Sequence, residues 1–309
     1  MIQIGLIGLG YWGPNILRVL SSEQNVNVKY ICDISESVLN KYKDNFLCTN
    51  NYHDILADKE IDMVFIVTPI STHFKIISDC INANKHIFVE KPLCKTMTEM
   101  EIIYSKCREH NVKIFCDYIF LYSNKIHCLK NIIMENMDNI LYIEMNRETF
   151  GIFAHDNVIY DLLPHDISIL NLLFDSEINI THVDKVYNDT LFIKSIINFS
   201  VNNINGIINL SWLNDTKERK IKVFCKNKII EYSDICDNIK IFNYHLHVKP
   251  THIEQKKLFS EEIVNINKEE PLRSSIIAAI RMIESNSNHI FEENEKTSRN
   301  IIKCFEKIV

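Results

Sequence analysis

Three residues of this 309-residue chain have the types and neighbours to move a proton: Lys91, Asp161 and His165. Lys91 lies in Glu90-Lys91-Pro92, directly after the apolar run His86 to Val89, which reads as a strand. A lysine at the C-terminal end of a parallel strand reaches the edge where open α/β sheets hold ligands, although the commoner fate of lysine is a solvated surface. In Asp161-Leu162-Leu163-Pro164-His165-Asp166 a carboxylate and an imidazole stand four residues apart, and on a helix they share a face. Histidine accepts protons near neutral pH, and a nearby carboxylate fixes the ring and supports its charged form. The segment also reads as a helix start, with Pro164 and Asp166 as start signals and His165 as a buried polar residue. By itself it leaves both readings open.

Glycine marks a second chemistry. Of six glycines, Gly5, Gly8, Gly10 and Gly13 fall within the first 13 residues. Gly8-Leu9-Gly10-Tyr11-Trp12-Gly13 follows the apolar run Ile2 to Ile7 and opens a helical pattern at Ile16, Leu17 and Leu20. In that context the first glycine permits a tight turn, the second lets a pyrophosphate approach the backbone, and the third lets helix and strand pack closely. Amides at the helix start then meet the phosphate charge. Asp33, twenty residues after Gly13, ends a second branched run, Val26 to Ile31, where its carboxylate would accept from a ribose hydroxyl. No Lys or Arg follows it until Lys41, so the expected cofactor is NAD rather than NADP.

The elements that must position these residues alternate. Met63 to Val67 reads as a buried strand ending at Thr68-Pro69, His73 to Ala83 as a helix, and Thr98 to His110 as another, with Val112 to Cys116 a last short strand. Ser37 to Phe46 also looks helical. Continuous apolar strands between helices imply a parallel sheet covered on both faces, ending near residue 118. Beyond it, helices at about 124–134 and 160–174 flank a strand at 140–148. Strands at 182–186, 191–200, 206–213, 220–225 and 228–232 then follow in succession, which implies a mainly antiparallel sheet. Two helices, 272–285 and 293–308, close the chain.

Composition narrows the classes. Hydrophobic residues are 46% and charged residues 24%, which excludes a disordered or collagen-like chain. A net charge of -6 without a basic stripe argues against nucleic acid. Ten cysteines form no C-x-x-C pair and no zinc spacing, so no metal is expected, and free thiols in this number suit a reducing cytoplasm. The opening run reads as a strand rather than a signal peptide, and no apolar stretch approaches the ~18 residues of a membrane span.

Together these residues resemble the Gfo/Idh/MocA family of oxidoreductases. The resemblance rests on the glycine loop, Thr68-Pro69 with Thr72-His73, Glu90-Lys91-Pro92-Leu93, Asp161 to Ile167, Trp212 in Leu210-Ser211-Trp212-Leu213, and Pro271-Leu272-Arg273. It implies an α/β protein with an N-terminal Rossmann domain, residues 1–118, that binds NAD. A substrate-binding and oligomerisation domain with a large open sheet follows, 119–309, whose C-terminal helix packs back on the first domain. It implies that Lys91 binds the substrate hydroxyl, that His165 is the acid-base residue supported by Asp161, and that Tyr11, Trp12, Thr68, Pro69, Thr72, His73 and Glu90 line the cofactor. The expected substrate is a sugar or nucleotide-sugar, the expected assembly a dimer or tetramer through the second sheet, and the expected location the cytoplasm. Relatives of other kinds, a non-catalytic NAD-binding regulator and an NAD-using glycosidase, are the alternatives. The glycine-rich approach to the catalytic helix seen in many members is replaced here by Asn157-Val158-Ile159-Tyr160.

Overall fold

The computed structural model of the chain describes residues 1–150, 156–245, 248–249, 252–253, 257–267, 269–285 and 288–309. Branched apolar runs form strands wherever both faces can be covered. The first unit alternates β1 (Ile2–Ile7), α1 (Gly13–Leu20), β2 (Val26–Cys32), α2 (Glu36–Leu39), β3 (Leu47–Thr49), α3 (His53–Ala57), β4 (Met63–Ile66), α4 (Ile70–Asn82), β5 (His86–Glu90), α5 (Met97–Glu109) and β6 (Ile114–Asp117). The six strands are parallel in the order β3-β2-β1-β4-β5-β6. That is the doubly wound order, with its switch point at β1 and β4. Every residue of β4 and β6 is buried, as the continuous apolar runs require. Phe65, Phe88 and Phe115 pair in register on β4, β5 and β6 and stack at 4.4 and 5.6 Å, which ties the three strands together on one face.

One expectation in this unit is corrected. The helix expected over 37–46 spans only Glu36–Leu39 and then breaks into turns, because the segment buries a single residue of the helix, Leu39, and offers no apolar stripe to hold it.

The chain divides into Met1–Ile119 with Leu272–Lys303, and Phe120–Pro271 with Cys304–Val309, so a single cut near 118 does not describe it. Residues 272–303 fall in the first unit rather than in the 119–309 domain, and the edge strand β6 shows why. Its outer backbone needs partners. Of the two closing helices, α8 (Pro271–Glu284) and α9 (His289–Ile308), α9 supplies them. The Asn294 amide accepts from Cys116 N at 2.9 Å and donates to Cys116 O at 2.8 Å, as a neighbouring strand would. Ser298 shares hydrogen bonds with the buried hydroxyls of Tyr104 and Tyr118.

The second unit contains α6 (Asn124–Met134), β7 (Ile140–Phe150), α7 (Val158–Phe174), β8 (Asn179–Asn188), β9 (Leu191–Val201), β10 (Ile204–Ser211), β11 (Leu213–Cys225), β12 (Lys228–Ser233), β13 (Asn238–His245), β14 (Val248–Lys249), β15 (His252–Ile253) and β16 (Lys257–Asn265). Eight of these strands form a sheet in the order β16-β13-β12-β11-β7-β10-β9-β8. Only β7 and β10 run parallel; the other neighbours are antiparallel. The alternation along β9, with Ile193, Ser195, Ile197 and Phe199 buried, sets one face against α7. Strands β8 to β12 overlap the expected runs, although β10 ends at Ser211 and β11 already starts at Leu213, whereas β13 to β16 were not expected. Among the described residues no helix is long and apolar enough to cross a membrane.

Candidate active site

At the end of β1 the chain turns through Gly8, whose φ of +94° is a region that side chains avoid. A Cβ on Gly13 would lie 2.4 Å from Gly8 O, so helix α1 starts as close to the turn as bare backbone allows. Beside Gly10 there is open space, and Gly10 is exposed. This is the cradle that a pyrophosphate requires: a bare peptide, room next to it, and a helix start. The first turn of α1 has no acidic residue, and the Trp12 side chain does not cap it, so the positive end of the helix lies uncompensated beside the turn.

Asp33 is fixed by the loop it serves. Leu9 N donates to its Oδ2 at 2.7 Å and Ser35 N to its Oδ1 at 2.9 Å, and each oxygen keeps a lone pair for a ribose hydroxyl. The carboxylate thus ties the glycine turn after β1 to the end of β2. Tyr11 is 85% exposed and stacks along Trp12. On the far side of β1, Thr68 and Thr72 share a hydrogen bond at 2.7 Å, and Thr72 Oγ1 donates to Pro69 O. His73 takes a different place from the one expected. It is 1% exposed, with Nδ1 2.9 Å from Pro92 O and Nε2 2.8 Å from Thr68 O. Each ring nitrogen meets a backbone carbonyl, and a neutral ring donates to one of the two, so His73 joins the loops after β4 and β5 from behind. Burial lowers its pKa.

Glu90 and Lys91 leave the end of β5, and Pro92 and Leu93 behind them are buried. Asp117 ends the neighbouring strand β6 opposite Glu90, a juxtaposition the sequence analysis did not anticipate. Its position at a strand end was the available signal.

In the second unit, α7 is a core helix, apolar on nearly all sides. It starts at Asn157, whose Oδ1 accepts from Ile159 N at 3.0 Å and Tyr160 N at 3.1 Å. Pro164 and Asp166 therefore lie inside the helix and are not its start signals. Asp161 and His165 are half-buried on successive turns. Trp212 Nε1 donates to Asp161 Oδ2 at 3.1 Å and holds that carboxylate from the end of β10. The His165 ring meets Phe120 edge-on, 5.2 Å between centroids. Phe120 in turn lies under the Arg147 guanidinium at 4.9 Å, and Arg147 Nε donates to both oxygens of Asp166 at 3.0 Å. A buried ion pair and an aromatic ring thus fix the turn of helix that carries His165. Neither Arg147 nor Phe120 was found from sequence. Nothing in a lone arginine on a strand announces a partner 19 residues away. Among the described residues no cluster of His, Cys, Asp and Glu could hold a metal.

Residues 2–118 match the oxidoreductase family described as Gfo/Idh/MocA, with an NAD-binding Rossmann fold. That match identifies the N-terminal domain as a Gfo/Idh/MocA domain. It is similar to the inositol 2-dehydrogenase of Salmonella typhimurium, 27% identical over 186 residues, which cover 57% of this chain and 55% of that protein. The chain spans about half the length of the curated relatives it matches. Among solved structures it resembles KijD10, a 3-ketoreductase from Actinomadura kijaniata in complex with TDP-benzene and NADP. The TM-score is 0.84 and the identity 13%, covering 98% of this chain and 96% of that one. It also resembles the UDP-N-acetylglucosamine 3-dehydrogenase GnnA from Acidithiobacillus ferrooxidans, TM-score 0.80 and 18% identity, covering 99% and 96%. At such identities the likeness is one of fold, and it extends through both units of the chain.

Proposed function

We propose that this chain is an NAD-dependent oxidoreductase that transfers a hydride between a secondary alcohol, or the matching ketone, of a sugar or nucleotide-sugar and the nicotinamide ring. The observation that carries the reading is the bare-backbone turn of Gly8 to Gly13 tied to Asp33 at the switch point of the first sheet. Gly8, Gly10 and Gly13 would hold the pyrophosphate and Asp33 the adenosine ribose, with Tyr11, Trp12, Thr68, Pro69, Thr72 and Glu90 around them. Bound NAD supplies the hydride acceptor or donor. Lys91 would donate a hydrogen bond to the substrate oxygen and stabilise negative charge there as the alcohol loses its proton. His165 would take that proton on oxidation and return it on reduction, and Asp161, held by Trp212, would support the imidazolium.

NAD is favoured over NADP because Asp33 places a negative charge where a 2'-phosphate would come, and Ile34 beside it is 94% exposed and carries no charge. A nucleotide-sugar is favoured because the names of KijD10 and GnnA point to such substrates or their analogues and both cover nearly the whole chain. The eight-stranded sheet is the proposed surface for a dimer or tetramer, which sedimentation would report. Ten free cysteines suit a reducing cytoplasm.

The test is a fluorescence titration with NADH and NADPH, followed by a hydride-transfer assay over polyols, sugars and nucleotide-sugars. NADH should bind more tightly, and His165→Ala should lower kcat at least ~100-fold. Tighter NADPH binding refutes the cofactor preference. Absence of turnover with every substrate class, or full turnover in His165→Ala, refutes the mechanism.

A further inference from the structure

Two carboxyl groups that would repel each other stand at the end of the first sheet. Glu90 closes β5 and Asp117 closes β6, and the strand register pairs them directly, so their side chains leave one face of the sheet from backbones about 5 Å apart. Asp117 is 2% exposed and accepts from Ser275 Oγ of α8 at 2.5 Å. Glu90 Oε1 is buried and has no hydrogen-bond partner among the described residues. A charge on that carboxyl would be compensated only in part, by the amide and the ammonium of Lys91.

We propose that Glu90 and Asp117 share a single proton and act as a positioning pair for Lys91, presenting it with one compensating negative charge instead of two. Two adjacent buried carboxyls cannot both ionise without a large penalty, whereas a pair with one proton balances one ammonium. Burial pushes Glu90 up to about 8, helped by the charge of Asp117 and opposed by Lys91. Burial likewise pushes Asp117 up to about 7, opposed by the Ser275 hydroxyl and by Lys91. Cys116 on β6 lies in the field of both carboxyls and of Cys94, both thiols being pushed upward by burial, and His73 of α4 lies in the field of Lys91. Above the pH at which the shared proton leaves, the excess negative charge would hold Lys91 to the pair and withdraw it from substrate.

The shared proton stands on this geometry alone; its catalytic consequence rests on the role proposed for Lys91. Infrared spectra of the full chain at neutral pH should show a protonated carboxyl band. Glu90→Gln should reduce it to what Asp117 alone holds, and Asp117→Asn should lower the pH at which it disappears, because the second charge is gone. Absence of the band in the wild type, or the same band and midpoint in both variants, overturns the proposal. Once a substrate is found, Glu90→Gln and Asp117→Asn should each displace the alkaline limb of the kcat/KM profile; an unmoved limb in both overturns the positioning role. Full activity in Lys91→Ala would defeat the Lys91 reading and leave the infrared result intact, so the two failures are distinguishable.

Discussion

At Gly8 an added Cβ would lie 2.3 Å from Val67 O, and the positive φ makes the strain unavoidable. Gly8→Ala should therefore lower stability by about 1–3 kcal/mol and weaken dinucleotide binding, to be read from urea melts with and without NADH. Asp166 carries a different kind of constraint. Its carboxylate sits 2% exposed against a guanidinium 5% exposed, a pair whose desolvation only mutual contact offsets. Asp166→Ala leaves Arg147 charged and alone and should cost about 3–5 kcal/mol, while adding Arg147→Met should recover part of that loss in the same melts. Legibility divided along the same line. The glycine turn could be read because its chemistry is confined to a few neighbouring residues, and Asp33 and Lys91 were placed at strand ends on the same local grounds. The Arg147–Asp166 and Glu90–Asp117 pairs could not, because only the fold brings their members together.

Element boundaries depended on caps as much as on periodicity. Asn157 opens α7 and satisfies two amides of the first turn; Asn157→Ala should cost about 1 kcal/mol by thermal melting, with the imidazole of His165 loosened against Phe120. Helix α9 does the work of a strand at the β6 edge through one side chain. Asn294→Ala strands a buried amide and carbonyl of Cys116 and should destabilise the first unit by about 1–3 kcal/mol, visible as faster hydrogen exchange along β6. The alternating strand and helix rhythm up to 118 was legible from apolar runs, as were β8 to β12, except for the short β3 and α3, which have too few apolar residues to show a period. Strands β13 to β16 were not, since Asn238–His245 and Lys257–Asn265 mix charge and asparagine with short apolar runs and are held by ladder pairing with each other.

For the molecule as a whole, raised carboxyl pKa values make a prediction about stability and pH. Glu90 and Asp117 bind protons more tightly in the folded chain than in the unfolded one, so between the ordinary carboxylate range and about pH 7 to 8 the native state holds the greater number of protons. Their contribution is complete in acid and is lost as pH rises through that window. The denaturant midpoint should fall over the window in the wild type, after other titrating groups are matched, and fall less in Glu90→Gln. The division of the chain is a property of the same scale. Residues 272–303 complete the first unit although about 150 residues separate them from β6.

Local pattern was enough to specify the parallel first sheet, the largely antiparallel second one, and the turn suited to a dinucleotide, because apolar period and glycine spacing are written in consecutive residues. Only the tertiary structure decided that His73 serves as a staple, that Trp212 holds Asp161, that Arg147 and Phe120 hold the His165 turn, and that Glu90 faces Asp117. Those relations arise from strand register and burial, which bring distant residues into contact and set what their charges cost.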